Sequence, residues 1–219
     1  MRAADAYGEL LLIGRPIIQT REAATRLHAS TSSASHLLHS MEEAGLARRL
    51  RQGLWALQPD IDPFTLAPYL TAPFPAYISF WSALARHDMI EQIPRQISVA
   101  SLDRTRHLTT TIGTYSIHHL APELFDGYRG SEDSGYLATP EKALFDTVYV
   151  RASRGARPFF PELSLPENFD ETQLQNWTQR LPTPRLRTLV SRGVEVALGQ
   201  ASQDERSSDR PASRAYGPV

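Results

Sequence analysis

Over residues 2–13 and again over 20–44, apolar positions recur at intervals of three and four, the spacing that lines one side of a helix; after Gly45 two short apolar runs replace them. The first helix is expected to end at Gly14 and Pro16. A second opens at Thr20-Arg21-Glu22-Ala23-Ala24, where a hydroxyl N-cap and an acid in the first turn suit the free N–H groups and the helix dipole. It stops at Leu27-His28-Ala29, with His28 at a position requiring φ > 0, a region His enters at less cost than most side chains. Ser30 caps a third helix, along which Ala34, Leu37, Leu38 and Met41 form an apolar stripe. Ser32, Ser35, His36 and His39 repeat the same spacing on the opposite side, so one face packs and the other is presented. Beyond Gly45, Leu46 to Leu50 and Leu54 to Leu57 are expected to pair through the turn Arg51-Gln52-Gly53.

Helix, turn, helix and hairpin in that order predict a winged helix-turn-helix over residues 1–58, with Arg48, Arg49 and Arg51 on or beside the wing. The same outline occurs in domains that bind protein, and charge decides between the two. Through Gln58 there are seven Arg against five Asp and Glu, a net of +2, while the whole chain carries −1, so the remainder carries −3. Positive charge is concentrated where phosphate binding needs it. The residues expected to contact duplex DNA are Arg21, Thr31, Ser32, Ser33, Ser35, His36, His39, Arg48, Arg49, Arg51 and Gln52. The presented stripe holds no Arg, Asn or Gln, the side chains suited to bidentate base contacts, so base readout is expected to be modest.

Prolines 59, 63, 68, 73 and 75 then mark residues 59–76 as a linker lying against the surface, with one short helical turn around Phe64 to Tyr69. Residues 77–198 read as an α+β domain. Tyr77 to Ile90 has helical spacing with Ser79 as a candidate cap, and Gln96 to Ala100 and Gly113 to Leu120 have strand character. Thr139-Pro140 opens a helix lined by Leu144, Phe145, Val148 and Tyr149; Asp170 with Gln173 makes a capping-box pattern; Thr183-Pro184 begins a last helix. Residues 199–219, rich in Ser, Asp, Arg, Ala and Pro without periodicity, are expected to be a disordered tail. The fold class is therefore α+β.

With 219 residues and no cysteine, the chain can hold one or two domains but neither a disulfide framework nor a thiolate metal site. The apolar run Leu10 to Ile13, preceded by Asp5 and Glu9, is too short and wrongly flanked for a secretory signal, and no stretch approaches a membrane span. A cytoplasmic location follows as the expectation, with no membrane partner.

Five blocks of residues 77–146 carry a resemblance. They are Tyr77-Ile78-Ser79-Phe80-Trp81-Ser82-Ala83-Leu84, with His87 after it; Ile97-Ser98-Val99-Ala100; Tyr115-Ser116-Ile117-His118-His119-Leu120; Glu123-Leu124-Phe125-Asp126-Gly127-Tyr128; and Ala138-Thr139-Pro140-Glu141-Lys142-Ala143-Leu144-Phe145-Asp146. In that order they resemble the AbiEi family, the antitoxins of abortive-infection type IV toxin-antitoxin systems, used in phage defence. Taken with the N-terminal pattern, the resemblance spans about residues 5 to 198. It implies a winged helix-turn-helix repressor that binds inverted repeats in double-stranded DNA upstream of its own operon. It further implies a second domain concerned with antitoxicity, and a nucleotidyltransferase-like toxin as partner.

Chemistry is sparse. His118 and His119 are adjacent on an expected strand and point to opposite faces, so they cannot chelate one ion. Lys142 and Asp146 form an i,i+4 pair read as a surface or half-buried salt bridge, and Glu141-Lys142 as part of a helix start. Neither a G-x-S-x-G elbow nor a glycine-rich phosphate loop is present, so neither enzyme activity, metal nor cofactor is expected. Two other functions fit the same pattern. One is an effector-sensing winged-helix regulator whose Tyr77, Phe80, Trp81, Phe125 and Tyr128 line a small-molecule pocket. The other is a protein-binding module that neutralises a toxin without DNA.

Overall fold

The computed structural model describes residues 2–58, 60–131, 134–156 and 159–208, with side chains described as far as residue 202. The chain is mixed α+β: among the described residues it has eight α-helices and two sheets, divided between two compact units.

The first unit comprises Met1–Ile78, Arg95–Leu120 and Arg129–Leu137. It begins with α1 (Ala3–Leu11), β1 (Ile17–Gln19), α2 (Thr20–Arg26), α3 (Thr31–Glu43), β2 (Arg48–Arg51) and β3 (Leu54–Ala56). The three strands form an antiparallel sheet in the order β1-β3-β2. A 3-10 turn at Pro63–Leu66 and α4 (Ala67–Thr71) lead into a six-stranded mixed sheet. Its strands are β4 (Ala76–Ile78), β5 (Ile97–Ser101), β6 (Arg106–Thr110), β7 (Gly113–His119), β8 (Tyr128–Ser131) and β9 (Gly135–Ala138), in the order β6-β7-β5-β4-β9-β8. β5 and β7 lie where the apolar pattern places strands; β1, β6, β8 and β9 carry too little local signal to be expected.

Strand β3 is buried on both faces. Because side chains alternate along a strand, Trp55 and the following Leu57 fall on one side with Ala6, Leu10, Ala23, Leu27, Ala34, Leu38 and Met41, in the core of the three helices. Leu54 and Ala56 fall on the other, with Ile17 and Leu50, and join Leu66, Leu70, Ile78, Val99, Tyr115 and Ile117 in a second core. The Tyr115 hydroxyl donates to the Pro63 carbonyl at 2.8 Å, and burial pushes its phenol above its ordinary pKa.

This second core corrects the expected division at residue 58. The expected surface linker over 59–76 is packed inward from residue 65 to 71: Leu66, Ala67, Leu70 and Thr71 are buried, and Pro63 and Pro68 start short helical turns, while Pro73 and Pro75 are exposed; Pro59 lies outside the described residues. The strands expected in a separate C-terminal domain pack with the N-terminal segment, an apolar pairing between positions too distant to register in local spacing.

The second unit, Ser79–Pro94, Ala121–Tyr128 and Ala138–Val219, holds α5 (Phe80–Arg86), a 3-10 turn at Pro122–Leu124, α6 (Pro140–Ser153), α7 (Glu171–Gln179) and α8 (Pro184–Ser208). The expected tail is corrected in part. Helix α8 continues through Ser208 because Ala197 and Ala201 extend the buried face begun by Val190 and Val194; residues 209–219 lie outside the described residues.

At the centre of this unit Lys142 and Asp146 are completely buried, not at the surface. Lys142 Nζ donates to Asp146 Oδ1 and to the Leu124 carbonyl, each at 2.6 Å, and Ser79 Oγ–H donates to Asp146 Oδ2 at 2.7 Å. The ammonium lies 5.1 Å from the Phe145 ring centre and 5.3 Å from that of Trp177. Gly127, at φ +73, passes so close that an added Cβ would stand 2.5 Å from Trp177, which explains a glycine there. Thr139 caps α6 as expected. The capping box at α7 differs: Asp170 caps Thr172 N–H, but its own N–H is taken by Glu141 Oε1 at 3.1 Å, leaving Gln173 to donate to the Asp170 carboxylate.

Removing one member of a buried pair strands the other charge. Lys142→Met is expected to cost about 3–5 kcal/mol in urea denaturation, and adding Asp146→Leu to recover most of it. A double variant less stable than Lys142→Met would contradict the pairing.

Candidate nucleic-acid interface

The turn between α2 and α3 is fixed by backbone chemistry. His28 adopts φ 49, and Ala29 N–H reaches back to the Ala24 carbonyl at 3.0 Å. Ser30 Oγ accepts from Ser33 N–H at 3.1 Å, and the two hydroxyls lie 2.9 Å apart, so Ser33, expected to face DNA, is engaged in the cap. At α2 the N-cap is Gln19, not Thr20: Glu22 Oε2 accepts from Gln19 N–H at 2.7 Å. The Thr20 hydroxyl is instead buried and accepts from the Trp55 indole N–H at 2.9 Å, tying α2 to β3.

Ala34, Leu38 and Met41 seat α3 in the core. On its other side Thr31, Ser32 and His36 are exposed and Ser35 is half-buried. Among the described residues, Ser32, Ser35 and His36 make no side-chain hydrogen bond within the fold. His39 differs from the rest of its stripe. Its ring packs edge-on against Trp55 with centres 4.9 Å apart, and Nδ1 lies 3.6 Å from Glu42 Oε2. It braces α3 against the hairpin.

The Glu42 carboxylate does the same, accepting from the Arg49 backbone N–H at 2.9 Å. Helical spacing gave no reason to single it out, since its partner is on the following strand. β2 is one of the two outer strands of its sheet, and Thr111, in the turn between β6 and β7, covers that edge. Thr111 N–H donates to the Leu50 carbonyl and its hydroxyl to the Arg49 carbonyl, each at 2.9 Å. No sequence signal links positions 62 residues apart.

The three hairpin arginines have different surroundings. Arg48 donates to the Thr111 carbonyl at 3.2 Å, and Arg49 lies over Trp55 at 6.0 Å from the ring centre. Arg51 stands opposite Leu54 across the hairpin turn, where Gly53, at φ +76, lets the chain reverse beside the exposed Gln52. Arg51 and Gln52 border a cleft of about 320 Å3 together with Arg21, Thr31 and Tyr69. Of the other N-terminal arginines, Arg15 pairs with Glu22 and Arg26 with Glu9, each at 2.8 Å.

The structure thus places Arg21, Thr31, Arg51 and Gln52 about one cleft, leaves Ser32, Ser35 and His36 free on α3, and uses Ser33, His39, Arg48 and Arg49 at least in part to hold the fold. Among the described residues no cluster of His, Asp or Glu is placed to hold a metal, and no helix is long and apolar enough to cross a membrane. No protein-family model matches the chain, and no curated protein matches it.

Thr20→Val is nearly isosteric but removes the acceptor of the Trp55 indole. It is expected to destabilise the chain by about 1–3 kcal/mol in urea denaturation followed by tryptophan fluorescence. An unchanged midpoint would mean that this bond does not anchor α2 to β3.

Proposed function

We propose that residues 1–58 form a winged helix-turn-helix that binds double-stranded DNA, with α3 in the major groove and the β2–β3 hairpin as its wing. One observation carries this reading: α3 is seated by one face while Ser32, Ser35 and His36 on the other have no hydrogen-bond partner among the described residues, beside a hairpin turn bearing Arg51 and Gln52. A helix held rigidly with idle polar side chains is suited to base edges, and flanking cations are suited to phosphates. Short hydroxyls and imidazoles supply single hydrogen bonds and not bidentate ones, so discrimination accumulates in small steps.

We further propose that the chain is a repressor and antitoxin, acting on the promoter of an operon it shares with a nucleotidyltransferase-like toxin. This part rests on the resemblance to AbiEi antitoxins. Support for it is that three of the resembling blocks meet at one place: Ser79, Leu124 and the Lys142–Asp146 pair form a single buried cluster. With these groups sealed from solvent, the most distinctive block acts as framework, in keeping with a protein that binds and does not catalyse. The small-molecule sensor is less favoured, since Tyr77 and Phe80, two of the aromatics expected to line its pocket, are core residues.

The reading is tested by titrating the full chain with the DNA immediately upstream of its own coding sequence and with random duplex. Ala at Ser32, Ser35 and His36 is expected to reduce the preference for upstream DNA by about 1 kcal/mol per lost contact, while binding to random duplex changes little. Equal losses on both DNAs would assign base reading to another element. Co-expression with the product of the adjacent gene tests the antitoxin part: growth restored by the whole chain supports it, and growth arrest that persists opposes it.

A further inference from the structure

Positive charge in the N-terminal segment is not spread evenly once its partners are counted. Carboxylates neutralise Arg15 and Arg26, and the Thr111 carbonyl and the Trp55 ring occupy Arg48 and Arg49. Arg2, Arg21 and Arg51 have no such partner among the described residues, and of these Arg21 and Arg51 border the same cleft. No Asp or Glu lines it. The nearest acid in sequence, Glu22, is turned to Arg15 and to the Gln19 N–H. Arg21 and Arg51 line one cleft with no carboxylate on it to neutralise them, and the planar donor forks of their guanidinium groups suit the oxygens of phosphate. The Thr31 hydroxyl and the Gln52 amide, also on the lining, add neutral donors.

We propose that this cleft is a phosphate-binding site in which Arg21 and Arg51 grip one backbone phosphate of duplex DNA between α2 and the hairpin turn. The proposal rests on the DNA-binding reading for the source of the phosphate, but not for the anion chemistry of the cleft. It separates two roles within the segment: Arg21 and Arg51 bind without regard to sequence, and the free face of α3 discriminates. It also ranks the hairpin arginines, since Arg48 is already bonded within the fold.

The test uses the full chain and its Arg21→Ala, Arg51→Ala, double and Arg26→Ala variants, with unfolding midpoints measured to establish that each is folded. Binding to a labelled random-sequence duplex is followed by anisotropy over a range of salt. One shared phosphate predicts that the log–log salt slope falls by about 0.9 in either single variant and by no more than that in the double, with Arg26→Ala, whose charge Glu9 already neutralises, close to wild type. In parallel, inorganic phosphate at matched ionic strength is expected to raise the unfolding midpoint of wild type and not of the double variant.

Wild-type duplex binding with an unchanged slope in the double variant overturns the cleft as a DNA contact and leaves the DNA-binding reading standing. Loss of about 1.8 in the double overturns the single shared phosphate in favour of two separate contacts. A wild type without affinity for duplex, but stabilised by phosphate through Arg21 and Arg51, sinks the DNA-binding reading and assigns the cleft to a free phosphate. Absence of both effects overturns the proposal.

Discussion

Strand β3 is buried on both of its faces, and the first unit is organised around it. Trp55, with Leu57 just after the strand, serves the helical core, and Leu54 and Ala56 the core beneath the large sheet, so a strand of three residues joins two hydrophobic clusters. The alternation is absolute for a strand, and moving the register by one residue would exchange the two sets. Through the Thr20–Trp55 bond, the His39 ring contact and the bond from Glu42 to β2, the same strand pair also fixes α2 and α3. The free face of α3 therefore owes its direction to the packing of the sheet as much as to its own helix. A segment cut after Gln58 would leave Ile17, Leu50, Leu54 and Ala56 without the core that covers them.

Elements whose causes are local could be read from the sequence. Ser30 and Thr139 as caps, His28 at positive φ, the apolar stripe of α3, and β5 and β7 all depend on residues within a turn or two of one another. What escaped depends on distant partners. Thr111 closing the edge of β2, Thr20 serving Trp55 in place of a cap, and Leu66 and Leu70 packing under the hairpin leave no trace in periodicity. Pro63 and Pro68 misled for a related reason: Pro at a helix start and Pro in an exposed linker look alike until burial separates them.

The candidate site divides along the same line. Residue type and helical face marked the surface that carries Ser32, Ser35 and His36, and the hairpin turn that carries Arg51 and Gln52. Only coordinates distinguish the arginines that bind the fold from those that face solvent, because neutralisation by Glu9, Glu22 or a carbonyl is a three-dimensional matter. The Lys142–Asp146 pair teaches the same caution in the opposite sense. Its i,i+4 spacing suits a surface salt bridge, yet with aromatic rings and a carbonyl about it the pair is the polar centre of a core.

The claim at the centre of this account is that one rigid face, made by α3 and the hairpin turn, meets DNA. Hydrogen exchange of the full chain, with and without the DNA upstream of its own coding sequence, tests it most directly. The account predicts added protection at the start of α2, along the first two turns of α3 and at Arg51 to Gly53, with the exchange of β5 and β7 unchanged. Protection confined to the second unit, or none at saturating DNA, would contradict it.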